Sequence, residues 1–438
     1  MRVLMLGWEF PPYISGGLGT ACYGLTRAMS RLGMEILFVL PRAVPAEQTS
    51  HVRLLSSVQR TSAPAPAGPS VGRAEMEDLP TVRFYTVAAA LRPYDRPGST
   101  AESARSPGAR ADETGPASRL ALEKGAPEPG HYAGDLFGEV ERYARLACQV
   151  AAGETFDVIH AHDWMTYPAG AAVARQSGKP LVVHVHSTEF DRSGLQVNQR
   201  VYDVERRGMQ AADAIVTVSR LTRNIVTRRY GVSPDKVQVV YNGIEFQHRP
   251  SPLRLSPAQK RHKIVLFLGR VTMQKGPEFF IAAARRVAEV MDDARFIVAG
   301  SGDRLRGIMD MTERLGLADR VLFTGFLRGP AVQRVYRMAD VYVMPSVSEP
   351  FGITPLEAIS HGVPAIISKQ SGVAEILDCV LKVDFWDTEE LARMIIAVLQ
   401  HPELHARLRD SGRRDLQKLS WEPAARRCLE VYRKVIRR

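Results

Sequence analysis

Two carboxylates lie eight positions apart in "SEPFGITPLEAISHG", at Glu349 and Glu357. Between them Gly352 permits a close turn, Thr354 suits an N-cap, and Pro355 suits the first position of a helix. Amides at a helix start attract anions, so a carboxylate on each side of them needs a reason. Thr354 and Glu357 have the spacing of a capping box, a structural use for one of the two. Glu349 precedes the cap and has no such use. A second stretch, "VLFLGRVTMQKGPEFF", follows a short apolar run with Arg270 and then Lys275. Two cations leaving one strand end suit a diphosphate, although solvated surface charge is the alternative.

Four histidines leave two further strand ends: His160 and His162 in "VIHAHDWMTYPAG", His184 and His186 in "VVHVHSTEF". Strand alternation puts each pair on one side of its strand, which raises a four-ligand metal site. Nothing in the spacing makes the pairs converge. A polar sugar pocket built from His186 and Asp163 needs fewer assumptions, so no metal is expected. In "GWEFPPYISGGLGTACYGL", Gly16, Gly17 and Gly19 let the backbone approach a ligand before a helix near Thr20. A tight strand-to-helix turn explains them equally well, and their spacing is neither the dinucleotide fingerprint nor a P-loop.

All these residues follow short β-rich runs that alternate with longer amphipathic ones, the pattern of parallel sheets with crossover helices. Strands are expected at 3–6, 35–40, 81–87, 156–160, 181–186, 214–218 and 237–240, then at 264–268, 295–299, 321–324, 341–344 and 365–367. The 438 residues exceed one ordinary core. The fold class is α/β, with two doubly wound domains at 1–245 and 263–420, a polar linker at 246–262 and a terminal helix at 421–438. A region near 57–130, rich in proline, glycine, serine and alanine, is expected as a partly disordered insertion in the first domain.

Composition narrows the partners. The formal charge of +11 favours an anionic one, but the arginines are scattered singly, without the basic-aromatic ladders of nucleic-acid binding. The four cysteines are widely spaced and suggest neither disulfides nor a metal site. The start lacks a signal-peptide pattern and no long apolar run occurs, so a cytoplasmic location is expected. Only the basic charge would favour a membrane surface.

Together these stretches resemble the retaining glycosyltransferases of the GT-B fold, in particular the glycogen and starch synthases and the related family 4 enzymes. "EPFGITPLE" matches that family's E-x7-E motif, and "LGRVTMQKG" its diphosphate-binding motif. "WEFPPYISGGLG", "HAHDW" and "VHVHSTEF" match motifs of the first domain. The resemblance implies two Rossmann-like domains facing across a cleft that holds a nucleotide sugar, ADP-glucose or UDP-glucose, with no cofactor.

It also implies roles. Arg270 and Lys275 would neutralise the diphosphate, helped by amides around Gly352, Ile353 and Thr354 and, from the first domain, by Gly16 and Gly17. Glu357 would bind the ribose, Glu349 the donor hexose, and His186 the transferred sugar, while Asp163 would line the acceptor side. The expected activity is hexosyl transfer to an α-glucan. Alternatives are transfer to a small sugar, sugar phosphate or lipid-linked acceptor, or sugar binding without catalysis. One departure bears on specificity: where bacterial glycogen synthases carry a lysine in K-x-G-G, this chain has Ile14, followed by Ser15. Donor base, acceptor and oligomeric state are not legible in these residues.

Overall fold

The computed structural model describes residues 1–11, 16–41, 72–76, 79–87, 135–245 and 261–437. In the first half, β1 (Arg2–Leu6), α1 (Gly17–Arg31) and β2 (Glu35–Leu40) are followed by β3 (Gly72–Met76) and β4 (Leu79–Thr86). Next come α2 (Leu136–Ala152), β5 (Val158–His162), α3 (Tyr167–Ser177), β6 (Leu181–Val185) and the short α4 (Glu189–Ser193). α5 (Gln199–Ala211), β7 (Ala214–Thr217), α6 (Arg220–Tyr230) and β8 (Val237–Val239) complete it.

The second half repeats the alternation. It runs through β9 (Lys263–Leu268), α7 (Pro277–Val290), β10 (Ala294–Ala299), α8 (Leu305–Arg314), β11 (Val321–Gly325) and α9 (Pro330–Met338). β12 (Val341–Met344), α10 (Thr354–Ser360), β13 (Ala365–Ser368) and β14 (Leu381–Val383) follow. Three helices end it: α11 (Thr388–Gln400), α12 (Pro402–Leu416) and α13 (Trp421–Ile436).

The strands form two sheets, ordered β3-β4-β2-β1-β5-β6-β7-β8 and β11-β10-β9-β12-β13-β14. Every pairing is parallel except β3 with β4, an antiparallel pair at the outer edge of the first sheet. Parallel strands covered on both faces read as apolar runs, and Val3 to Leu6 and Ile36 to Val39 are fully buried. Leaving aside the antiparallel edge strand β3, each sheet reverses its strand order once, between β1 and β5 and between β9 and β12. Ligands of such sheets bind at that reversal, beyond the carboxyl ends of the strands.

On one face of the first sheet, Tyr143 of α2, Val173 of α3 and Met209 of α5 pack over Ile159 and Val183. On the other, Cys22 and Met29 of α1 and Cys428 and Tyr432 of α13 pack over Val158 and Val182. Thus α13, last in the sequence, completes the core of the first sheet. The second sheet is covered by α7 and α11 on one side and by α9, α10 and α12 on the other. Among the described residues no helix is long and apolar enough to cross a membrane.

Several boundaries differ from expectation for local reasons. β5 starts at Val158 and runs to His162, which brings His162 into the strand. α1 begins at Gly17, earlier than the expected Thr20, with Gly16 extended at its N-cap. β14 has only three residues, and β3 reads "GRAEM" without an apolar alternation, so neither shows in the pattern. β4 answers to the strand expected at 81–87, and β3 pairs with it inside the stretch expected as an insertion. The rest of that stretch and residues 246–260 of the expected linker lie outside the described residues, as do Ile14 and Ser15.

Candidate active site

The residues singled out in the second half gather at the β9/β12 reversal. β9 ends at Leu268, and Arg270 follows within two residues, its guanidinium donating to the Gln274 amide oxygen Oε1 at 3.2 Å. A 3-10 turn, Met273–Lys275, then delivers Lys275. Gly276 ends that turn at φ +61°, and an added Cβ would meet the Pro345 carbonyl at 2.2 Å. Only glycine lets the lysine loop lie against the chain leaving β12.

That chain carries Glu349. Its amide donates to the Gln370 carbonyl at 2.9 Å, and its carbonyl accepts from Gly372 at 2.9 Å. The backbone is therefore fixed to the segment after β13. The carboxylate, almost wholly buried, accepts from Lys275 Nζ at 2.5 Å and from Ser346 Oγ at 3.2 Å, both through Oε2. Gly352, at φ +103°, passes close beneath Glu349 Cγ.

α10 is built differently from a capping box. Its N-cap is Ile353, without a side-chain cap, and Thr354 is already helical. Thr354 Oγ1 accepts instead from Tyr342 Oη at 2.8 Å, and Glu357 Oε2 accepts from Tyr336 Oη at 3.0 Å. Two tyrosines on β12 and α9 displace the local pairing that spacing alone suggested. Burial raises the Glu357 carboxyl above its ordinary range, and the Tyr336 hydrogen bond offsets part of that.

In the first half the residues gather beyond β1, β5 and β6. At α1, Glu9 Oε2 accepts from the Gly19 amide at 3.0 Å, so a carboxylate of the chain already engages this helix start. Asp163 stands at φ +60°, the one non-glycine residue at positive φ among the described residues. Its Oδ1 accepts from the amides of His186 at 2.8 Å and Ser187 at 3.3 Å. Asp163 therefore pins the end of β6. Burial raises its carboxyl to about 7, against the opposing pull of Arg192 and of those amides.

Across the cleft, Ser348 Oγ donates to Asp191 Oδ1 at 2.5 Å. Asp191 also accepts from the Thr188 amide and hydroxyl, both at 2.7 Å. Glu375 reaches from the second half to the start of α6, accepting from the amides of Arg220 at 3.0 Å and Leu221 at 2.8 Å and from Tyr241 Oη at 2.8 Å.

Comparison with known proteins places this arrangement. The chain matches the family "Glycosyl transferases group 1" over 254–415, "Glycosyltransferase Family 4" over 110–248 and "Starch synthase catalytic domain" over 2–104. It is 28% identical over 451 residues to an uncharacterized glycosyltransferase of Methanocaldococcus jannaschii, covering 99% of this chain and 98% of that one. It is 25% identical over 447 residues to the glycogen synthase of Mycobacterium tuberculosis, covering 99% and 94%. The catalytic domain of starch synthase IV from Arabidopsis thaliana, bound to ADP and acarbose, superposes with a TM-score of 0.71 over the whole of both chains at 16% identity. The alpha-maltose-1-phosphate synthase of Mycolicibacterium smegmatis is 32% identical over 314 residues, 64% of this chain and 80% of that one. The chain belongs to the glycogen- and starch-synthase-like glycosyltransferases of GT-B fold.

In this glycosyltransferase the four histidines do converge. His162 Nδ1 and His186 Nε2 lie 2.9 Å apart, and His160 Nε2 and His184 Nδ1 lie 3.2 Å apart. One ligand atom from each of His160, His162 and His184 lies within 4.8 Å of the others, as does one from each of Cys22, His162 and His186. The rings are stacked, however, with interplanar angles of 6° to 29°. The two short contacts are hydrogen bonds between neighbouring rings.

His160, His162 and His184 were not singled out individually by the sequence as site residues. Their cue was the two His-x-His alternations, whose meaning required knowing that β5 and β6 are neighbours in register, with His162 beside His184. The Ser348–Asp191 and Glu375 contacts between the two halves had no cue.

Proposed function

We propose that this glycosyltransferase moves glucose from a nucleotide-glucose donor to an α-glucan, with retention of anomeric configuration. The observation that carries the reading is the Lys275–Glu349 pair, a cation and a carboxylate held together between two strand ends. Departure of a nucleoside diphosphate leaves negative charge on the phosphate and positive character on the hexose. A site that speeds it must stabilise both. Lys275 and Arg270 would take the diphosphate, with the amides of Gly352, Ile353 and Thr354. Glu349 would face the hexose, His186 would contact it, and Glu357 would bind the ribose.

No carboxylate has the role of covalent nucleophile in this reading, so acceptor attack comes from the face that the diphosphate leaves. Closure of the halves would exclude water and suppress hydrolysis of the donor. Asp163 was expected on the acceptor side. Its bonds to His186 and Ser187 support a role in holding that side in shape. At the first glycine loop, the engagement of Gly19 by Glu9 leaves Gly16 and Gly17 as the amides for a phosphate.

The test is nucleotide release from ADP-glucose, UDP-glucose and GDP-mannose, with and without glycogen. Release that depends on glycogen, and falls at least a hundredfold in Glu349→Ala, a loss on the order of that for removing one transition-state stabiliser, is expected. Release indifferent to glycogen, or from GDP-mannose alone, overturns the glucan assignment. A second reading has its own support: Ile14 replaces the lysine of K-x-G-G, and similarity to an alpha-maltose-1-phosphate synthase favours a phosphorylated sugar acceptor. Release stimulated by glucose 1-phosphate in place of glycogen would establish it.

A further inference from the structure

The histidine stack fixes more than ring positions. Among the described residues, His162 Nε2 and His184 Nε2 are buried without a hydrogen-bond partner. An unpaired buried N–H is rarer than an under-used acceptor, so in both rings the proton belongs on Nδ1 and the bare nitrogen is Nε2. The remaining protons then follow without a free choice. His184 Nδ1–H donates to His160 Nε2 at 3.2 Å. His160, accepting there, carries its own proton on Nδ1, next to Tyr432 Oη at 2.5 Å. Tyr432 in turn directs its hydroxyl toward Met29 Sδ at 4.0 Å.

In the other pair, His162 Nδ1–H donates to His186 Nε2 at 2.9 Å. His186 is the only ring of the four that keeps appreciable solvent access. We infer that His162 is a positioning residue that locks His186 in its Nδ1–H tautomer, so that His186 meets the cleft as a hydrogen-bond donor and not as an acceptor. The bond to the ring from His162 and the bond to its amide from Asp163 hold His186 at two points from consecutive residues of one strand end. Burial also holds all four rings below the ordinary histidine range, so the stack stays neutral.

The consequence for ligand recognition is a fixed N–H that selects an oxygen acceptor, a hydroxyl or ring oxygen of the donor hexose. This part rests on the reading of His186 as the residue that contacts the transferred sugar.

The test is nitrogen-15 NMR of the full chain labelled at histidine, with His186 assigned through His186→Gln. The expected spectrum has a protonated Nδ1 and a bare Nε2 at His186. His162→Phe keeps a ring but removes the donor, and should change the His186 tautomer and lower kcat/KM for the donor roughly tenfold, the loss for about 1.4 kcal/mol of transition-state binding. His162→Asn, whose side-chain NH2 stands where Nδ1 stood, should restore most of both.

A wild-type His186 protonated at Nε2 overturns the inference, and so does a His162→Phe variant with an unchanged His186 tautomer. A changed tautomer with unchanged donor kinetics upholds the lock but overturns the sugar contact of His186. If His162→Phe does not fold, the wild-type spectrum decides alone.

Discussion

Asp163 combines three features at one position: a positive φ, a buried carboxyl raised to about 7, and two amides held by one oxygen. Its ordinary value is 3.8, so between about pH 4 and 7 the unfolded chain has lost a proton that the folded chain keeps. Stability should fall as pH rises through that window and stay lower above it. Asn keeps the carbonyl acceptor, tolerates positive φ and cannot ionise. Asp163→Asn should therefore lose less stability than wild type between pH 5 and pH 8, measured as urea midpoints. Equal losses in the two proteins would remove Asp163 as the cause. The sequence placed Asp163 near the cleft by its strand end but could not show that its carboxyl is spent on β6. Glu349 was expected to have no local use, whereas its carboxylate accepts from Ser346 three residues before it as well as from Lys275. Thr354 and Glu357 misled because their actual partners, Tyr342 and Tyr336, lie on other elements.

Among the elements, α1 and α13 show how contact decides what propensity would get wrong. Gly24 sits in the middle of α1, where alanine would ordinarily favour the helix by about 0.5–1 kcal/mol. A Cβ there would lie 2.2 Å from the buried Trp421 indole of α13. Overpacking of that kind costs about 1–3 kcal/mol, so the clash outweighs the gain. Gly24→Ala should lower the midpoint of thermal unfolding, and an unchanged or raised midpoint would show that α13 can yield. The strands were legible to within two or three residues because burial on both faces writes them as apolar runs. The exceptions were β3 and the three-residue β14, which hold sheet edges and whose short sequences, GRAEM and LKV, carry no apolar run. That α13 crosses to the first sheet could not be read from its amphipathic spacing, which specifies a buried face but not the surface it meets.

At the scale of the whole molecule, the two halves meet through polar contacts as well as apolar ones, such as Tyr241 against Phe351 and the return of α13 to the first sheet. Glu375 caps α6 from the other side of the cleft, and its three hydrogen bonds are exposed to water. Each contributes about 1 kcal/mol, enough to bias opening without preventing it. Glu375→Ala should speed hydrogen exchange at the Arg220 and Leu221 amides several-fold while leaving exchange in α7 unchanged; equal protection in variant and wild type would deny the clamp. Two doubly wound domains were legible from the alternation of elements, whereas the contacts between them depend on side chains that no pattern pairs. The return of α13 to the first sheet bears finally on how the protein is made. A ribosome adds about 5–20 residues per second, so the strands of the first sheet wait roughly ten seconds or more before the residues of α13 emerge. During that interval Cys22, Met29 and Val182 have no Tyr432 or Cys428 to cover them. The nascent first domain is thus left with an adhesive face until synthesis is nearly over, and a chaperone that binds apolar surface would find its target there.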